Sequence, residues 1–268
     1  MEFYYITNDI QIAKICDENE IIPWIDLEAL GKEERQKGMN TVKSNHNIQD
    51  IGIIKKVLNH MPLLVRINPI NRNSENEINR VIEEGADIIM LPFFKSEEEV
   101  RVFLKLVNRR CKTMLLFETR ESVEHIDQIL CLDGIDKVHI GLNDLSLSYE
   151  LNFMFELITN GTVDYICSKF NEYGLRYGFG GVARLGAGNI PAEYVILEHV
   201  RLYSSQAILS RSFCNSENYD SIETFRHEFE DSLYQLRQFY NGVKNSGELY
   251  RNNNHLFMKK MINELVLK

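Results

Sequence analysis

Short apolar runs recur along the chain, each followed by a charged stretch with helical spacing. The runs occupy residues 3–6, 21–25, 63–67, 87–91, 114–117, 137–140, 177–181 and 206–209, eight in all. They are rich in β-branched and aromatic residues and nearly continuous in apolar character, as strands covered on both faces of a parallel sheet must be. Between them the period lengthens to that of a helix. Ser96 with Glu99 three positions on forms a capping box, and Val100, Phe103, Leu104 and Val107 follow at helical spacing. Residues 74–84 and 121–130 read as helices in the same way. Eight alternating strand and helix units predict a single closed α/β barrel, the (β/α)8 TIM barrel, in preference to a doubly wound sheet. Residues 216–240 predict the long helix that completes the ring, so residues 1–240 are assigned to the barrel domain. Residues 241–268 stand outside it as a C-terminal helical extension. Gly242, Ser246 and Gly247 punctuate that segment, and residues 252–254 are polar. Residues 256–267 return to an amphipathic helix whose apolar side carries Leu256, Phe257, Met261 and Leu265. Such a helix packs on its own barrel or on a neighbouring subunit, and a homo-oligomer is expected.

Composition narrows the partners. The 268 residues suit one barrel, which takes roughly 250. A formal net charge of −9 argues against a general nucleic-acid binder, which needs a basic surface to displace counterions. It leaves room for a local basic pocket facing an anionic substrate. No apolar run approaches the ~20 residues that cross a bilayer, and the N-terminus lacks the basic-then-apolar order of a signal peptide. The five cysteines are scattered, odd in number and without a CxxC pair. A cytoplasmic protein with reduced thiols is therefore expected, without nucleic-acid or membrane partners.

Active sites of such barrels lie at the C-terminal ends of the strands. The polar residues there are Asp26 and Glu28 after the second run, Arg66 and Asn68 after the third, and Glu118 and Thr119 after the fifth. Asp144 follows the sixth, Arg184 the seventh, and Ser210 with Arg211 the eighth. Carboxylates converging with arginines suit a hard, oxygen-ligated cation such as Mg2+ or Mn2+ together with a small anionic substrate. Arg184 and Arg211 sit where many barrels bind phosphate, so a phosphorylated partner substrate is expected there. Gly180 and Gly181 permit close backbone approach. The seven histidines show no HxH or HExxH spacing. His139 reads as a packed strand residue, and His125, His227 and His255 read as solvated helix positions.

Four motifs occur in order: LVRINP at 64–69, GADIIMLP at 85–92, LFET at 116–119 and IGLNDLS at 140–146. Their order and strand placement resemble the HpcH/HpaI aldolase and citrate lyase β-subunit family of metal-dependent barrels, over roughly residues 20–215. The resemblance implies that Glu118 and Asp144 ligate the metal. It implies that Asn143 and Asp144, with Leu142 beside them, receive the carboxylate of a pyruvate-type oxyacid on backbone amides, and that Arg66 contacts its oxyanion. The implied reaction makes or breaks a carbon–carbon bond through a pyruvate enolate. Two other readings stand beside it: a citrate lyase-like acyl-thioester lyase using coenzyme A, and a non-catalytic barrel that binds an oxyacid.

The second strand departs from the family. Its aldolases carry a histidine soon after the acidic residue, and residues 26–31 have none; the citrate lyase branch has Asp-Leu-Glu-Asp, where Ala29 ends the run here. Proton transfer then falls to Asp26 and Glu28, which strand alternation puts on the same side. His46 is the alternative, at the end of a long polar loop whose Lys32, Arg35 and Gln36 are further candidates for an anionic substrate.

Overall fold

The structure is a computed structural model and describes residues 1–31 and 45–267. Among the described residues eight strands form, each within a residue or two of the expected run: β1 Glu2–Ile6, β2 Ile21–Asp26, β3 Leu64–Arg66, β4 Ile88–Leu91, β5 Lys112–Phe117, β6 Lys137–Ile140, β7 Arg176–Val182 and β8 Gln206–Leu209. Each pairs in parallel with the next, and β8 pairs with β1, closing the barrel. The helices among the described residues are α1 Ile10–Glu18, α2 Ile48–Lys55, α3 Ser74–Glu83, α4 Glu97–Val107, α5 Arg120–Glu124, α6 Ile126–Leu130, α7 Leu142–Ser148, α8 Glu156–Thr159, α9 Thr162–Glu172, α10 Ala192–Arg201, α11 Ile222–Val243 and α12 Glu248–Val266.

Local chemistry accounts for the boundaries. The capping box at α4 forms in full: Ser96 accepts from the Glu99 amide while the Glu99 side chain reaches back to the Ser96 amide. Removing such a cap costs about 1 kcal/mol. The helix expected over residues 121–130 is broken at His125, whose backbone leaves the helical region (φ −103, ψ 16), so α5 and α6 are separate.

Strand alternation divides the core into two. Outward residues such as Ile25, Val65, Ile89, Leu115 and Val138 pack under the helices in one large apolar shell. Inward residues Tyr4, Ile22, Trp24, Leu64, Ile88, Met90, Met114 and Leu116 fill the barrel itself. Each large side chain buried in this way contributes roughly 1.5–3 kcal/mol. The barrel's N-terminal end is closed by a polar plug, where Lys137 Nζ lies 2.6 Å from Glu2 Oε1 and 3.3 Å from Tyr4 Oη. The interior is filled below, and the cavity opens at the C-terminal mouth.

The C-terminal helix docks on its own barrel. Helix α12 buries Asn254, Met258 and Ile262, a stripe at i, i+4 and i+8. Of the residues read as its apolar side, Met261 is partly buried against the core, whereas Leu256 is 64% exposed and Phe257 63%. Asn254, read as part of a polar stretch ahead of the helix, lies inside it, and its amide donates to Glu198 Oε1 at 2.9 Å and to the Tyr194 carbonyl at 3.1 Å. His255, read as solvated, lies 3.0 Å from Glu198 Oε2. A fully buried carboxylate on α10 decides which face docks.

Candidate active site

The register of β2 against β3 sets Asp26 beside Arg66. Both point inward at the mouth, and the pair is buried: 1% of the Asp26 side chain and 10% of the Arg66 side chain are exposed. Arg66 Nε and Nη2 each donate to one Asp26 oxygen at 2.8 Å. Nη1 lies 3.2 Å from Glu28 Oε2, and the guanidinium carbon stands 5.1 Å over the Trp24 ring. Burial disfavours the charge, but Asp26, Glu28 and Glu118 more than restore it, so Arg66 is held above its ordinary pKa. The bonds to Asp26 use two of the five N–H donors of the fork, and Glu28 adds an ion pair. Asp26 and Glu28 do share one side, as alternation requires, and there they are counter-ions of Arg66.

Glu118, one residue beyond β5, is buried and its Oε1 accepts the Phe93 amide at 3.0 Å. Phe93 follows β4 in the left-handed region at φ 49, a costly conformation for a bulky residue. Glu118 lies against the turn into α7. A Cβ on Gly141 would stand 2.6 Å from Glu118 Oε2 and 2.9 Å from its Cβ, so only glycine lets the carboxylate sit there. Asp144 is buried on the first turn of α7. The first bond of that helix runs from the Leu145 amide to the Gly141 carbonyl at 3.0 Å. The amides of Leu142, Asn143 and Asp144 therefore precede the helical ladder. The Leu142 side chain packs on Gly180, where a Cβ would meet Leu142 Cδ1 at 2.7 Å and φ is 54.

These residues line one open cavity of about 1240 Å³ at the barrel mouth, which Asp26, Arg66, Glu118, Leu142, Asn143, Asp144, His46 and Arg211 all border. His46 is brought in by its ring, whose Nδ1 accepts the Asp26 amide at 3.0 Å. An imidazole accepting at Nδ1 carries its proton on Nε2. Two expected residues fall elsewhere. Glu28 stands behind Arg66 without bordering the cavity, and Arg184 is exposed outside it, its chain carried away as β7 ends. Lys32, Arg35 and Gln36 lie outside the described residues. His139 is packed inside the barrel edge-on to Tyr4, and burial lowers its pKa to about 4, in keeping with a core residue. Trp24 and Phe93 were not singled out from the sequence. A tryptophan two residues before an acidic strand end was the available signal for the first, whereas a left-handed phenylalanine leaves no trace in sequence.

The donors suit a hard divalent cation. Glu118 and Asp144 are buried carboxylates bordering the same cavity, with Gly141 holding open the space that Glu118 occupies. Among the described residues no cluster of three or more His, Cys, Asp or Glu side chains suited to a metal occurs. Two carboxylates, with solvent and substrate oxygens completing the shell, is the pattern Mg2+ accepts.

A clamped arginine and two buried carboxylates thus stand at the mouth of a closed parallel (β/α)8 barrel. Residues 25–152 match the model of the HpcH/HpaI aldolase/citrate lyase family, just under half of the chain. The resemblance read from the four motifs is thus shown over the stretch that holds Asp26, Arg66, Glu118 and Asp144. No curated protein matches the sequence. Among solved structures, the HpcH/HpaI aldolase from Desulfitobacterium hafniense DCB-2 aligns with a TM-score of 0.60 at 18% identity, covering 78% of this chain and 85% of that one. The citrate synthase SbnG aligns at 0.58 and 16% identity, covering 88% and 93%. RipC from Yersinia pestis aligns at 0.57 and 14%, covering 85% and 94%. At such identities the likeness is one of fold.

Proposed function

We propose that this protein is a divalent-metal-dependent carbon–carbon lyase that acts through the enolate of a pyruvate-type oxyacid. The observation that carries the reading is the convergence of Glu118, Asp144 and Arg66, from three different strand ends, on one cavity. Glu118 and Asp144 would hold Mg2+ or Mn2+, which supplies Lewis-acid stabilisation of developing negative charge on oxygen. The pre-ladder amides of Asn143 and Asp144, beside Leu142, suit the substrate carboxylate. Arg66 presents fixed positive charge to the enolate oxygen, and its clamp by Asp26 and Glu28 means that no reorganisation is needed when that charge develops. In the addition direction C3 of pyruvate loses a proton and its carbon bonds to an aldehyde carbon. The aldehyde oxygen takes the electron pair and a proton, and cleavage is the reverse.

The same geometry redistributes the proton-handling roles. Both Asp26 oxygens face Arg66, which makes the Asp26–Glu28 pair a counter-ion. His46, fixed as the Nε2–H tautomer by the Asp26 amide, is suited to donate a hydrogen bond to a carbonyl or alkoxide oxygen, a role that needs no titration. Glutamine retains an N–H donor, so His46→Gln should keep more turnover than His46→Ala.

The test is exchange of the C3 protons of pyruvate for deuterium in heavy water, followed by NMR. Exchange is expected with Mg2+ or Mn2+, and its loss with a chelator or in Glu118→Gln. A folded protein that catalyses no exchange with either metal would remove the enolate reading.

A further inference from the structure

A second cavity, of about 630 Å³, opens at the other end of the barrel, around the starts of β4, β5 and β6. Its size falls in the range of small-molecule sites, roughly 300–1,000 Å³. Asp87 borders it just before β4, Arg109, Arg110, Cys111 and Lys112 from the turn into β5, and Asp136 just before β6. Glu118 stands six positions after Lys112 along β5, roughly 20 Å away at about 3.3 Å per residue. No residue borders both cavities.

The turn that carries the cations is held in an uncommon conformation. Asn108 and Arg109 lie in succession in the left-handed region, at φ 48 and 56, which is costly for an arginine. Arg110 fastens the turn to the end of α4. Its Nε donates to the Val107 carbonyl at 3.1 Å, and its Nη2 to the Leu106 carbonyl and Asn79 Oδ1, both at 2.7 Å. The guanidinium is thus fixed before a ligand arrives, with Nη1 left over. Arg109 pairs with Asp133 where both side chains are mostly exposed, and such a pair yields readily to another carboxylate. Lys112 is exposed and makes no hydrogen bond or ion pair among the described residues. Beside these cations stand two carboxylates, each with one oxygen committed. Asp87 Oδ2 accepts from Lys55 Nζ at 2.5 Å and from the Leu63 amide at 2.7 Å. Asp136 Oδ2 accepts the Thr113 amide at 2.8 Å. Among the described residues, Oδ1 of each has no hydrogen-bond partner. Burial pushes the Cys111 thiol up to about 11, so it stays neutral and offers no thiolate to a metal.

We infer that this cavity is a binding site for a free α-amino acid with an acidic side chain. Open donors and open acceptors of both charges border one space, and a ligand carrying both charges satisfies the two sets together. A bare anion such as phosphate sets its charge against Asp87 and Asp136, and a bare cation meets Arg109, Arg110 and Lys112; like charges brought together are disfavoured. The ammonium group of an α-amino acid has three N–H donors for the open oxygens of Asp87 and Asp136. Its α-carboxylate accepts from Lys112 and from the spare Nη1 of Arg110, whose fixed position lowers the cost of ordering on binding. Lys55 already answers one oxygen of Asp87, which leaves a cation for a second carboxylate. That of the ligand's side chain takes Arg109 in place of the exposed Asp133. The site lies apart from the enolate chemistry and holds or falls independently of it.

The experiment is calorimetric titration of the full chain with L-glutamate, L-glutamine, N-acetyl-L-glutamate and inorganic phosphate. L-Glutamine lacks the second carboxylate, and N-acetyl-L-glutamate lacks the ammonium group. Saturable binding of L-glutamate is expected, with each of the other three at least about tenfold weaker for want of a charge-assisted contact. Lys112→Gln should weaken L-glutamate at least about tenfold. Asp136→Asn keeps an oxygen for the Thr113 amide. It should weaken L-glutamate by a like factor and N-acetyl-L-glutamate not at all, because only the ammonium group meets Asp136. Lys112 is exposed, so its variant carries the test even where Asp136→Asn fails to fold by circular dichroism. Absence of L-glutamate binding overturns the assignment. So does equally tight binding of L-glutamine, N-acetyl-L-glutamate or phosphate. Affinity for L-glutamate that Lys112→Gln leaves unaltered, or that falls as pyruvate and Mg2+ are added, puts the ligand outside this cavity and overturns it as well.

Discussion

Replacing Asp26 by asparagine tests whether that residue is Arg66's clamp. The substitution preserves volume but exchanges one of the two oxygens facing Arg66 for an amide nitrogen. A pair of donors then meets where a 2.8 Å charge-assisted bond stood. The guanidinium keeps Glu28 at 3.2 Å and one carbonyl acceptor, so it is weakened in its pairing and not stripped of it. Breaking a buried pair by altering one partner costs about 3–5 kcal/mol, and the surviving Glu28 contact sets the expected loss near the lower end, about 3 kcal/mol. At roughly 2–4 °C per kcal/mol for a domain of this size, the melting temperature should fall by about 6–12 °C. Urea unfolding followed by circular dichroism measures the loss directly. The triple variant Asp26→Leu, Glu28→Gln, Arg66→Met removes all three charges of the buried cluster, and it should recover stability relative to the single change while abolishing pyruvate binding. A loss of under about 1 kcal/mol for Asp26→Asn would refute the clamp. So would a triple variant less stable than the single one, since the penalty would then not be an uncompensated charge.

Three further outcomes are expected. Gly141→Ala should weaken Mn2+ binding at least tenfold in calorimetry while keeping the fold, because its Cβ would have to displace Glu118 from a 2.6 Å approach; unchanged affinity would remove Glu118 from the metal site. Asp144→Asn should likewise abolish tight Mg2+ or Mn2+ binding, since hard cations depend on charged oxygens, and parental affinity would discard that ligand. Burial lowers His139 to about 4 and His199 to about 3, so the unfolded chain binds more protons below the unfolded histidine value of about 6.5. Stability should therefore fall as pH drops from about 6.5 toward the folded values, by up to about 1.4 kcal/mol per pH unit for each histidine. His199→Gln should flatten the decline in unfolding free energy between pH 6.5 and 4, and an unaltered slope would contradict the assignment.

The strands, the α4 cap and the glycines of β7 were legible in the residues alone. Their cause is local: period, cap chemistry and the absence of a Cβ act within a few residues. The motifs also marked Glu118, Asp144 and Arg66 as strand-end residues, since a barrel gathers such ends at one mouth. Which of them touch is not local. Closure of the ring and the register of β2 on β3 decided that Asp26 grips Arg66, and the same packing drew His46 to an amide twenty positions earlier in the chain. Arg184 was equally plausible in sequence, but the turn after β7 carries it outside the cavity. Helix α12 shows the same limit. Its apolar residues offered a face, yet a buried Glu198 on α10 turned the docking side toward Asn254 and left Leu256 and Phe257 outside, because a buried carboxylate must find donors and Asn254, His255 and Arg201 supply them. Periodicity shows that a segment has a face to bury; the partners that satisfy its polar atoms determine which face that is.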